Sequence, residues 1–369
     1  MKKKLKINNP FPSATYYLGN CIEIMSELPK SSIDMVFADP PYNLQLGKGL
    51  TRPDTTKVNG VDEEWDTFKS YKEYDEFTYA WLHEVKRILK PQGTIWVIGT
   101  YHNIFRIGKT IQDLKYWILN DITWRKSNPM PNFRGTRFTN AHETIIWAQH
   151  TKKESYTFNY KAMKTLNEDL QMRSDWLIGI CNGQERIKNI KGEKAHPTQK
   201  PEALLHRIIL SSTNPKDLIL DPFFGSGTTG AVAKKLGRKF IGIEENKNYL
   251  QLAQQRINSI KKPSENTLKI TNSPRNMLRI PFGMLVENGI LKPGSVLYDE
   301  SGKHSALVRA DGSISTKNFS GSIHNVAAAL RGVPSCNGWL FWHVKDKKNN
   351  ILIDKLRISL REKHLSNIT

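Results

Sequence analysis

Residues 218–244 read LILDPFFGSGTTGAVAKKLGRKFIGIE, and this stretch decides the fold class of the chain. A short apolar run at 218–220 predicts a buried strand, a glycine-rich turn follows at 223–230, and a helix is predicted up to Leu236. A second apolar run at 240–243 predicts another strand, which ends at Glu244. In parallel α/β folds, a strand, a glycine-rich turn, a helix and a strand in this order bind a nucleoside cofactor.

The glycine-rich turn supplies the candidate residues for that cofactor. Glycines let the backbone turn tightly and approach a ligand, and an acid that ends the second strand can accept hydrogen bonds from both ribose hydroxyls. The candidates are Asp221, Phe223, Gly225, Gly227, Thr228 and Glu244. Because Gly225, Gly227 and Gly230 also satisfy the G-x-G-x-x-G pattern, the turn by itself does not separate NAD from S-adenosylmethionine.

The alternation of strands and helices recurs elsewhere and predicts an α/β fold with a mainly parallel sheet. Apolar runs at 32–38 and 94–98 predict strands, and apolar residues at helical spacing predict helices over 71–89 and 202–211.

The chain is predicted to contain two domains. A polar stretch at 263–279 lacks periodicity, contains two prolines, and is predicted to link a domain of residues 1–262 to one of residues 280–369. The second domain is predicted to be a small α+β module with β-prone segments at 296–298, 306–308 and 339–342.

The strand predicted at 32–38 leads into Asp39-Pro40-Pro41-Tyr42, which suits chemistry on the amino group of a base. The lone pair of the exocyclic amine of adenine is delocalised into the ring, so acceptors must localise it toward a methyl donor. Asp39 offers a carboxylate, and Pro40 offers a carbonyl in a turn of fixed φ that Pro41 stiffens. Tyr42 offers a flat ring on which a base that is flipped out of a nucleic-acid duplex can stack. These four residues are the candidate catalytic group.

The charge of the chain favours a polyanionic partner. Its 369 residues include 55 Lys and Arg against 35 Asp and Glu, a net charge of +20, and such cations supply most sequence-independent affinity for nucleic acid. The candidate DNA contacts follow the loop of residues 39–42, which we call the catalytic loop, or alternate with aromatic residues: Lys48, Arg52, Lys57, Arg125, Lys126, Asn132, Arg134 and Arg137. Charge does not discriminate DNA from RNA, so an RNA substrate stays open.

The remaining composition argues against a membrane span and a metal site. No window approaches the roughly 18 consecutive apolar residues of a span. No apolar segment follows the basic start, so we expect a cytoplasmic protein that associates with the nucleoid. The three cysteines lie far apart, so neither a disulfide framework nor a zinc site is predicted, and we expect no metal.

The order of these motifs resembles that of amino-directed DNA methyltransferases of the β arrangement, in which a DPPY precedes the cofactor motif. In this chain Asp39-Pro40-Pro41-Tyr42 comes first, Thr198-Gln199-Lys200-Pro201 follows, and the D-P-F-x-G-x-G-T turn comes last. The chain is more closely similar to the cell-cycle-regulated GANTC adenine methyltransferases of bacteria and the related HinfI-type modification enzymes. That similarity runs from about residue 18 to beyond 357 and includes 126–135, 140–144 and 337–339.

This resemblance implies a Rossmann-like methyltransferase that transfers a methyl group from S-adenosylmethionine to N6 of adenine, within GANTC in duplex DNA, and is often a homodimer. It implies that Thr198 and Lys200 lie near the methionine portion of the cofactor. Asn20 stands at a cofactor position where relatives carry Asp, so a charge-based role is not expected there. DNA contacts are implied for residues of the second domain, namely Ser322, Asn337, Trp339 and Arg357.

Three other functions fit part of the sequence. An NAD-dependent oxidoreductase fits the glycine-rich turn and Glu244 but leaves the DPPY and the net charge unexplained. A non-catalytic DNA-binding protein that retains the fold is disfavoured by the intact DPPY. Some relatives with a DPPY methylate cytosine N4, although SPPY is more usual there, so adenine is favoured.

Overall fold

The computed structural model describes residues 11–43, 66–132, 135–188, 192, 194, 198–261, 263–269, 279–346 and 349–366. The chain divides into two compact units, Met1–Ser273 (the first unit) and Pro274–Thr369 (the second unit). Within the predicted linker, Glu265–Leu268 forms a short 3₁₀ turn, and Leu268 lies against Gly237 of the first unit. None of the helices in the described ranges is long and apolar enough to cross a membrane.

The first unit combines one sheet with helices. Its strands are β1 (Ala14–Leu18), β2 (Ile33–Ala38), β3 (Leu89–Gly99), β4 (Trp117–Lys126), β5 (His142–Gln149), β6 (Asp175–Ile178), β7 (Leu218–Asp221) and β8 (Lys239–Glu244). Its helices are α1 (Cys21–Glu27), α2 (Tyr71–Ile88), α3 (Ile104–Asp113), α4 (Tyr160–Thr165), α5 (Glu202–Ser212), α6 (Thr228–Lys235) and α7 (Lys247–Asn258).

The sheet of the first unit has the order β1-β8-β7-β2-β3-β5-β4-β6. Neighbouring strands pair in parallel, except that β5 is antiparallel to both β3 and β4. The carboxyl ends of the other strands and the amino end of β5 therefore meet at one edge of the sheet. The predicted α/β class with a mainly parallel sheet is confirmed.

Apolar side chains alternate between the two faces of this sheet, because successive residues of a strand point to opposite sides. On β2, Val36 and Ala38 belong to the core that α1, α2 and α3 cover. Met35 and Phe37 belong to the core under α5, α6 and α7. All four are at most 2% exposed. Helices thus cover both faces, and the three packed layers hold the loops at the sheet edge in place.

Strand β3 begins earlier than the apolar run at 94–98 predicts. Leu89 pairs with Ile33 and Thr94 pairs with Met35, so β3 advances five residues while β2 advances two. This irregularity contains Pro91, which has no N–H to donate to a sheet ladder and is tolerated at bulges.

The second unit packs helices against an antiparallel sheet. Its strands are β9 (Val296–Tyr298), β10 (Ser305–Val308), β11 (Ile314–Ser315), β12 (Ser320–Gly321), β13 (His343–Asp346) and β14 (Asn349–Leu352), in the order β12-β11-β10-β9-β13-β14. Its helices are α8 (Phe282–Glu287), α9 (Ile323–Arg331), α10 (Gly338–Phe341) and α11 (Ile353–Ser366). They enclose a separate core around Leu297, Trp339 and Trp342, as expected for a small α+β unit.

The prediction of a β-prone segment at 339–342 is wrong, because α10 occupies most of it. Asn337 caps this helix: its side-chain oxygen accepts the N–H of Trp339 at 3.2 Å. The buried indole of Trp342 donates to the carbonyl of Ile323 at 3.0 Å. A helix cap and a buried aromatic anchor therefore override the strand preference of the aromatic residues.

Gly338 is the residue whose replacement is expected to damage the second unit most directly. A Cβ at this position would overlap the backbone carbonyl of Ile323, which has no flexible end that could move away. We expect Gly338→Ala to lower the free energy of unfolding by about 1–3 kcal/mol, as overpacking typically does. Gly283→Ala is the matched control, since a Cβ there meets no atom within 4 Å. Equal denaturation midpoints for the two variants in urea would contradict this account.

Candidate active site

Acidic side chains collect at the edge of the sheet where the parallel strands end. Asp39 follows β2, Asp221 ends β7 and Glu244 ends β8. Glu143 joins them from β5, because this antiparallel strand brings its amino end to the same edge. Ligands of open α/β sheets bind at this edge. The topology therefore assembles one site from residues that are far apart in the chain.

Two cavities lie at this edge and share a wall. The first, which we call the acidic cavity, is lined by Asn20, Asp39, Thr198, Lys200, Asp221, Phe223, Gly225, Thr228, Glu244 and Glu245, with the rings of Phe68, Phe77 and Tyr249. The second, the tyrosine cavity, is lined by Tyr42, Trp124, Lys126, Met130, Glu143 and Ile180. Thr198, Gln199 and Lys200 line both cavities, so the T-Q-K-P segment forms the partition between them.

The acids of the glycine-rich turn hold its backbone in place. Glu244 accepts the N–H of Gly225 on Oε2 at 2.7 Å. Asp221 accepts the N–H of Phe223 at 3.0 Å and the hydroxyl proton of Thr229 at 2.6 Å. A carboxylate at each strand end thus fixes the loop that forms the cavity floor.

Two residues support the turn from behind. Gly227 has a left-handed φ of 73°, and a Cβ there would approach the Cβ of Ala253 on α7 to 2.6 Å. Arg256 donates to the hydroxyl oxygen of Thr228 at 3.1 Å and to the carbonyl of Ser226 at 3.3 Å. The structure does not place Gly227 among the cavity residues, so close packing with α7 explains this glycine.

Asn20 lies in the wall of the acidic cavity and caps α1. Its side-chain oxygen accepts the N–H of Ile22 at 3.0 Å and that of Glu23 at 3.3 Å. Its side-chain nitrogen donates to Glu245 at 2.8 Å. A neutral amide can cap a helix as an Asp would. Its contact with a cofactor stays a prediction.

The charges of the acidic cavity suit a cation. The cavity is lined by Asp39, Asp221, Glu244 and Glu245, and Lys200 is the one Lys or Arg among its described lining residues. Burial raises the pKa of Asp221 to about 7, with smaller contributions from the charges of Asp39 and Glu244. Burial also raises the pKa of Glu244, with a smaller contribution from Glu245, so neighbouring carboxylates disfavour further negative charge there. The pyrophosphate of NAD would add negative charge to the cavity, whereas the cationic sulfur of S-adenosylmethionine would offset the negative charge of these carboxylates.

Asp39 lines the acidic cavity and contacts Tyr42 of the tyrosine cavity, and both of its carboxylate oxygens are engaged. The ammonium of Lys200 is 2.6 Å from Oδ2, and the hydroxyl of Tyr42 is 2.9 Å from Oδ1. Burial raises the pKa of Asp39, and the charge of Lys200 opposes that rise. Burial lowers the pKa of Lys200, but the carboxylates of Asp39 and Glu143 bring it above its ordinary value. Pro40, the next residue, is buried.

Side chains from other elements hold the catalytic loop. Asp66 accepts the N–H of Tyr42 on Oδ1 at 2.5 Å. The hydroxyl of Tyr74, on α2, donates to the carbonyl of Pro41 at 2.9 Å, and the amide of Asn103 donates to the same carbonyl at 3.4 Å. The DPPY backbone is therefore fixed by three polar contacts in addition to its two prolines.

Glu143 connects Tyr42 to Lys126 inside the tyrosine cavity. Its Oε2 is 3.0 Å from the hydroxyl of Tyr42, and its Oε1 is 2.8 Å from the ammonium of Lys126. Burial raises the pKa of Glu143, but the charges of Lys200 and Lys126 more than offset burial and bring it below its ordinary value. The side chain of Lys126, a predicted DNA contact, is only 12% exposed because of this pairing.

The other predicted DNA contacts of the first unit are less enclosed. Arg125 is exposed, with its guanidinium 3.4 Å from Asp175. Asn132 is half-buried and accepts a backbone N–H within a turn. Arg137 is exposed and donates to the hydroxyl of Tyr101 at 3.1 Å. Lys48, Arg52, Lys57 and Arg134 lie outside the residues that the structure describes.

The predicted DNA contacts of the second unit divide into two exposed helix caps and a pair formed by a buried tryptophan and a half-buried arginine. Ser322 and Asn337 are exposed and cap α9 and α10. Trp339 is 6% exposed and belongs to the core, and the guanidinium of Arg357 lies 4.3 Å above its ring. Ser322 and Asn337 are exposed and can contact a ligand directly, whereas Trp339 and Arg357 pack against each other. DNA binding by these residues stays a prediction.

Some residues of the site contact it from distant positions in the chain and are not marked by a local sequence pattern. Asp66 contacts Tyr42 from 24 positions away, and Arg256 contacts Thr228 from 28 positions away, so no local pattern marks either one. Glu143 has one signal, its place in the 140–144 segment that carries the family resemblance.

Two protein-family models match this chain, one over the first unit and the other mainly over the second. A family model described as DNA methylase matches residues 33–255, which is more than half of the chain. A second model, described as Restriction Enzyme Adenine Methylase Associated, matches residues 262–366.

Curated relatives cover most of the chain. The Type II methyltransferase M.HinfI of Haemophilus influenzae is 47% identical over 343 residues, which are 93% of this chain and 95% of that protein. The Type II methyltransferase M2.LlaDCHI of Lactococcus lactis subsp. cremoris is 45% identical over 241 residues, which are 65% of this chain and 87% of that protein.

Solved structures resemble the fold. The crystal structure of the M1.HpyAVI–SAM complex has a TM-score of 0.50 and 29% identity, covering 66% of this chain and 99% of that one. The PvuII DNA methyltransferase, which is cytosine-N4-specific, has a TM-score of 0.52 and 24% identity, covering 68% and 89%. The prediction of a DNA methyltransferase is confirmed, and the chain belongs to the DNA methylase family.

Proposed function

We propose that this DNA methylase transfers a methyl group from S-adenosylmethionine to N6 of adenine, within GANTC in duplex DNA, after the target base is flipped out of the helix. The position of Asp39 carries the proposal, because this carboxylate lines the acidic cavity and is hydrogen-bonded to Tyr42, which lines the tyrosine cavity. A cationic methyl donor in the acidic cavity and a flat base in the tyrosine cavity would meet at Asp39. The site GANTC rests on the sequence resemblance.

The residues of the acidic cavity fit S-adenosylmethionine. Glu244 accepts the N–H groups of Gly225 and Asn246, and its remaining lone pairs can accept hydrogen bonds from ribose hydroxyls. Phe77 and Tyr249 supply aromatic surface for the adenine ring of the cofactor. When bound, the cofactor supplies an electrophilic methyl group on a cationic sulfur, which suits a wall of carboxylates.

The catalytic loop prepares the amine of the target. Asp39 accepts one N–H of the amine and the carbonyl of Pro40 accepts the other, which localises the nitrogen lone pair toward the methyl group. The nitrogen gains positive charge as its bond to the methyl group forms and the bond between the methyl group and sulfur breaks. The carboxylate of Asp39 stabilises that charge and can accept the N–H proton that the methylated nitrogen then loses. The ring of Tyr42 lines the tyrosine cavity and stacks on the flipped base, a contact worth roughly 1–3 kcal/mol.

DNA recognition is shared by the two units in this proposal. Arg125 and Arg137 supply exposed cations in the first unit, and Ser322 and Asn337 supply exposed polar groups in the second. The match of residues 262–366 to a family named for adenine methylases supports adenine rather than cytosine as the target.

The likeness to M.HinfI supports a modification methylase of the restriction-modification type. Assembly as a homodimer, association with the nucleoid and regulation through the cell cycle follow from the sequence resemblance and stay predictions.

Transfer of labelled methyl groups tests this function. We expect incorporation from S-adenosylmethionine into a duplex containing GANTC but not into a scrambled duplex. Asp39→Ala is expected to lower kcat by about 100-fold or more, because it removes the charge that stabilises the methylated nitrogen. Asp113→Ala, which removes an exposed carboxylate on α3, is the control. Equal transfer to both duplexes would overturn the assigned site, and full activity of Asp39→Ala would overturn the assigned chemistry.

The pH dependence of kcat is expected to report the ion pair of Asp39. Since Asp39 acts when ionised and its pKa lies above the ordinary value, activity is lost as the pH falls through that raised pKa. Lys200→Met removes the cation that opposes the rise, so its acidic limb is expected at a higher pH than that of the wild type. Lys72→Met, an exposed control, should leave the limb in place. The same acidic limb in Lys200→Met and the wild type would contradict this role.

A further inference from the structure

The hydroxyl of Tyr42 lies between two buried carboxylates. It is 2.9 Å from Oδ1 of Asp39 and 3.0 Å from Oε2 of Glu143. The chain of contacts continues on both sides, because Lys200 is 2.6 Å from Asp39 and Lys126 is 2.8 Å from Glu143. Two lysines, two carboxylates and one phenol therefore form a single row of buried and half-buried groups that joins the walls of the two cavities.

The phenol has one proton, so it can donate fully to one carboxylate at a time. While it donates to Asp39, it occupies a lone pair of Oδ1. The other oxygen of Asp39 is already engaged by Lys200. A target amine that enters the cavity must therefore compete with the hydroxyl for Asp39, unless the hydroxyl proton turns to Glu143.

Glu143 is equipped to accept that proton as a hydrogen bond. Its other oxygen is held by Lys126, and the two side chains are 10% and 12% exposed. The cations around it bring the pKa of Glu143 below its ordinary value, so it stays ionised and is a constant acceptor. Charged acceptors form the stronger hydrogen bonds of proteins.

The backbone fixes this arrangement. Glu143 is the second residue of β5, where it pairs with Trp124 of β4, and Lys126 lies two residues further along β4. Tyr42 follows the parallel strand β2. Both ends of the contact therefore stand on sheet strands or directly after one.

We propose that Glu143, held by Lys126, is a positioning residue for Tyr42: it takes the hydrogen bond of the phenol when the target base enters, and so frees Asp39 to accept the target amine. The inference rests on the proposed function, because it concerns the same amine and the same carboxylate. Glu143 acts through Tyr42 and does not itself touch the reacting atoms.

A double-mutant cycle tests this proposal. Glu143→Gln is expected to lower kcat by about 10-fold, because it replaces the charged acceptor of the phenol proton by a weaker neutral one, with KM for DNA changed less than about twofold. Tyr42→Phe keeps the stacking ring but has no hydroxyl to redirect. In the Tyr42→Phe background, Glu143→Gln is therefore expected to change kcat by less than about twofold. Glu154→Gln, an exposed change of the same kind, is the control.

Equal losses of kcat in the two backgrounds would overturn the proposal, because they would mean that Glu143 acts on the base directly or only on stability. If Glu143→Gln does not fold, as judged by binding of S-adenosylmethionine, Lys126→Met replaces it in the same cycle with the same expected outcomes. Failure of the wild type to methylate DNA would instead contradict the proposed function. The two failures are therefore distinguishable.

Discussion

The ion pair of Asp39 and Lys200, 2.6 Å apart and largely buried, is the interaction on which the site depends. A buried carboxylate without a partner would be costly, and Lys200 supplies that partner from the segment that separates the two cavities. The pair therefore favours the ionised form of Asp39 in the wall of the acidic cavity, beside Tyr42 of the tyrosine cavity. The aromatic walls, the glycine-rich turn and the DPPY backbone are arranged around that charge.

Strand direction explains why the second carboxylate is present. A sheet with all strands parallel would place the amino end of β5, and with it Glu143, at the far edge from Asp39. Because β5 runs antiparallel to β3 and β4, Glu143 reaches the active edge and contacts Tyr42. One reversed strand thus adds an acid to a site otherwise assembled from strand carboxyl ends. Lys126, at the carboxyl end of β4, neutralises it.

Local patterns in the sequence predict the framework well, because β2, β7, β8 and the turn at 223–230 are encoded by contiguous residues. They also predict Asp39 and Glu244 as site residues, and both line the acidic cavity. The contacts of Asp66 and Glu143 with Tyr42 could not be predicted in this way. Asp66 reaches Tyr42 from 24 positions away, and the contact of Glu143 depends on sheet order and strand direction. The segment at 339–342 was mispredicted because a cap and tertiary packing outweigh β-propensity. The contact of Gly227 with α7 likewise depends on tertiary packing, and its predicted contact with a cofactor stays a prediction.

Identification of the methylated nucleoside tests the central claim most directly. Duplex DNA treated with the protein and S-adenosylmethionine would be digested to nucleosides and separated by liquid chromatography with mass spectrometry. The account predicts N6-methyl-2′-deoxyadenosine as the product, because residues 262–366 match a family named for adenine methylases. Exclusive formation of N4-methyl-2′-deoxycytidine, or methylation of RNA and not of DNA, would contradict it.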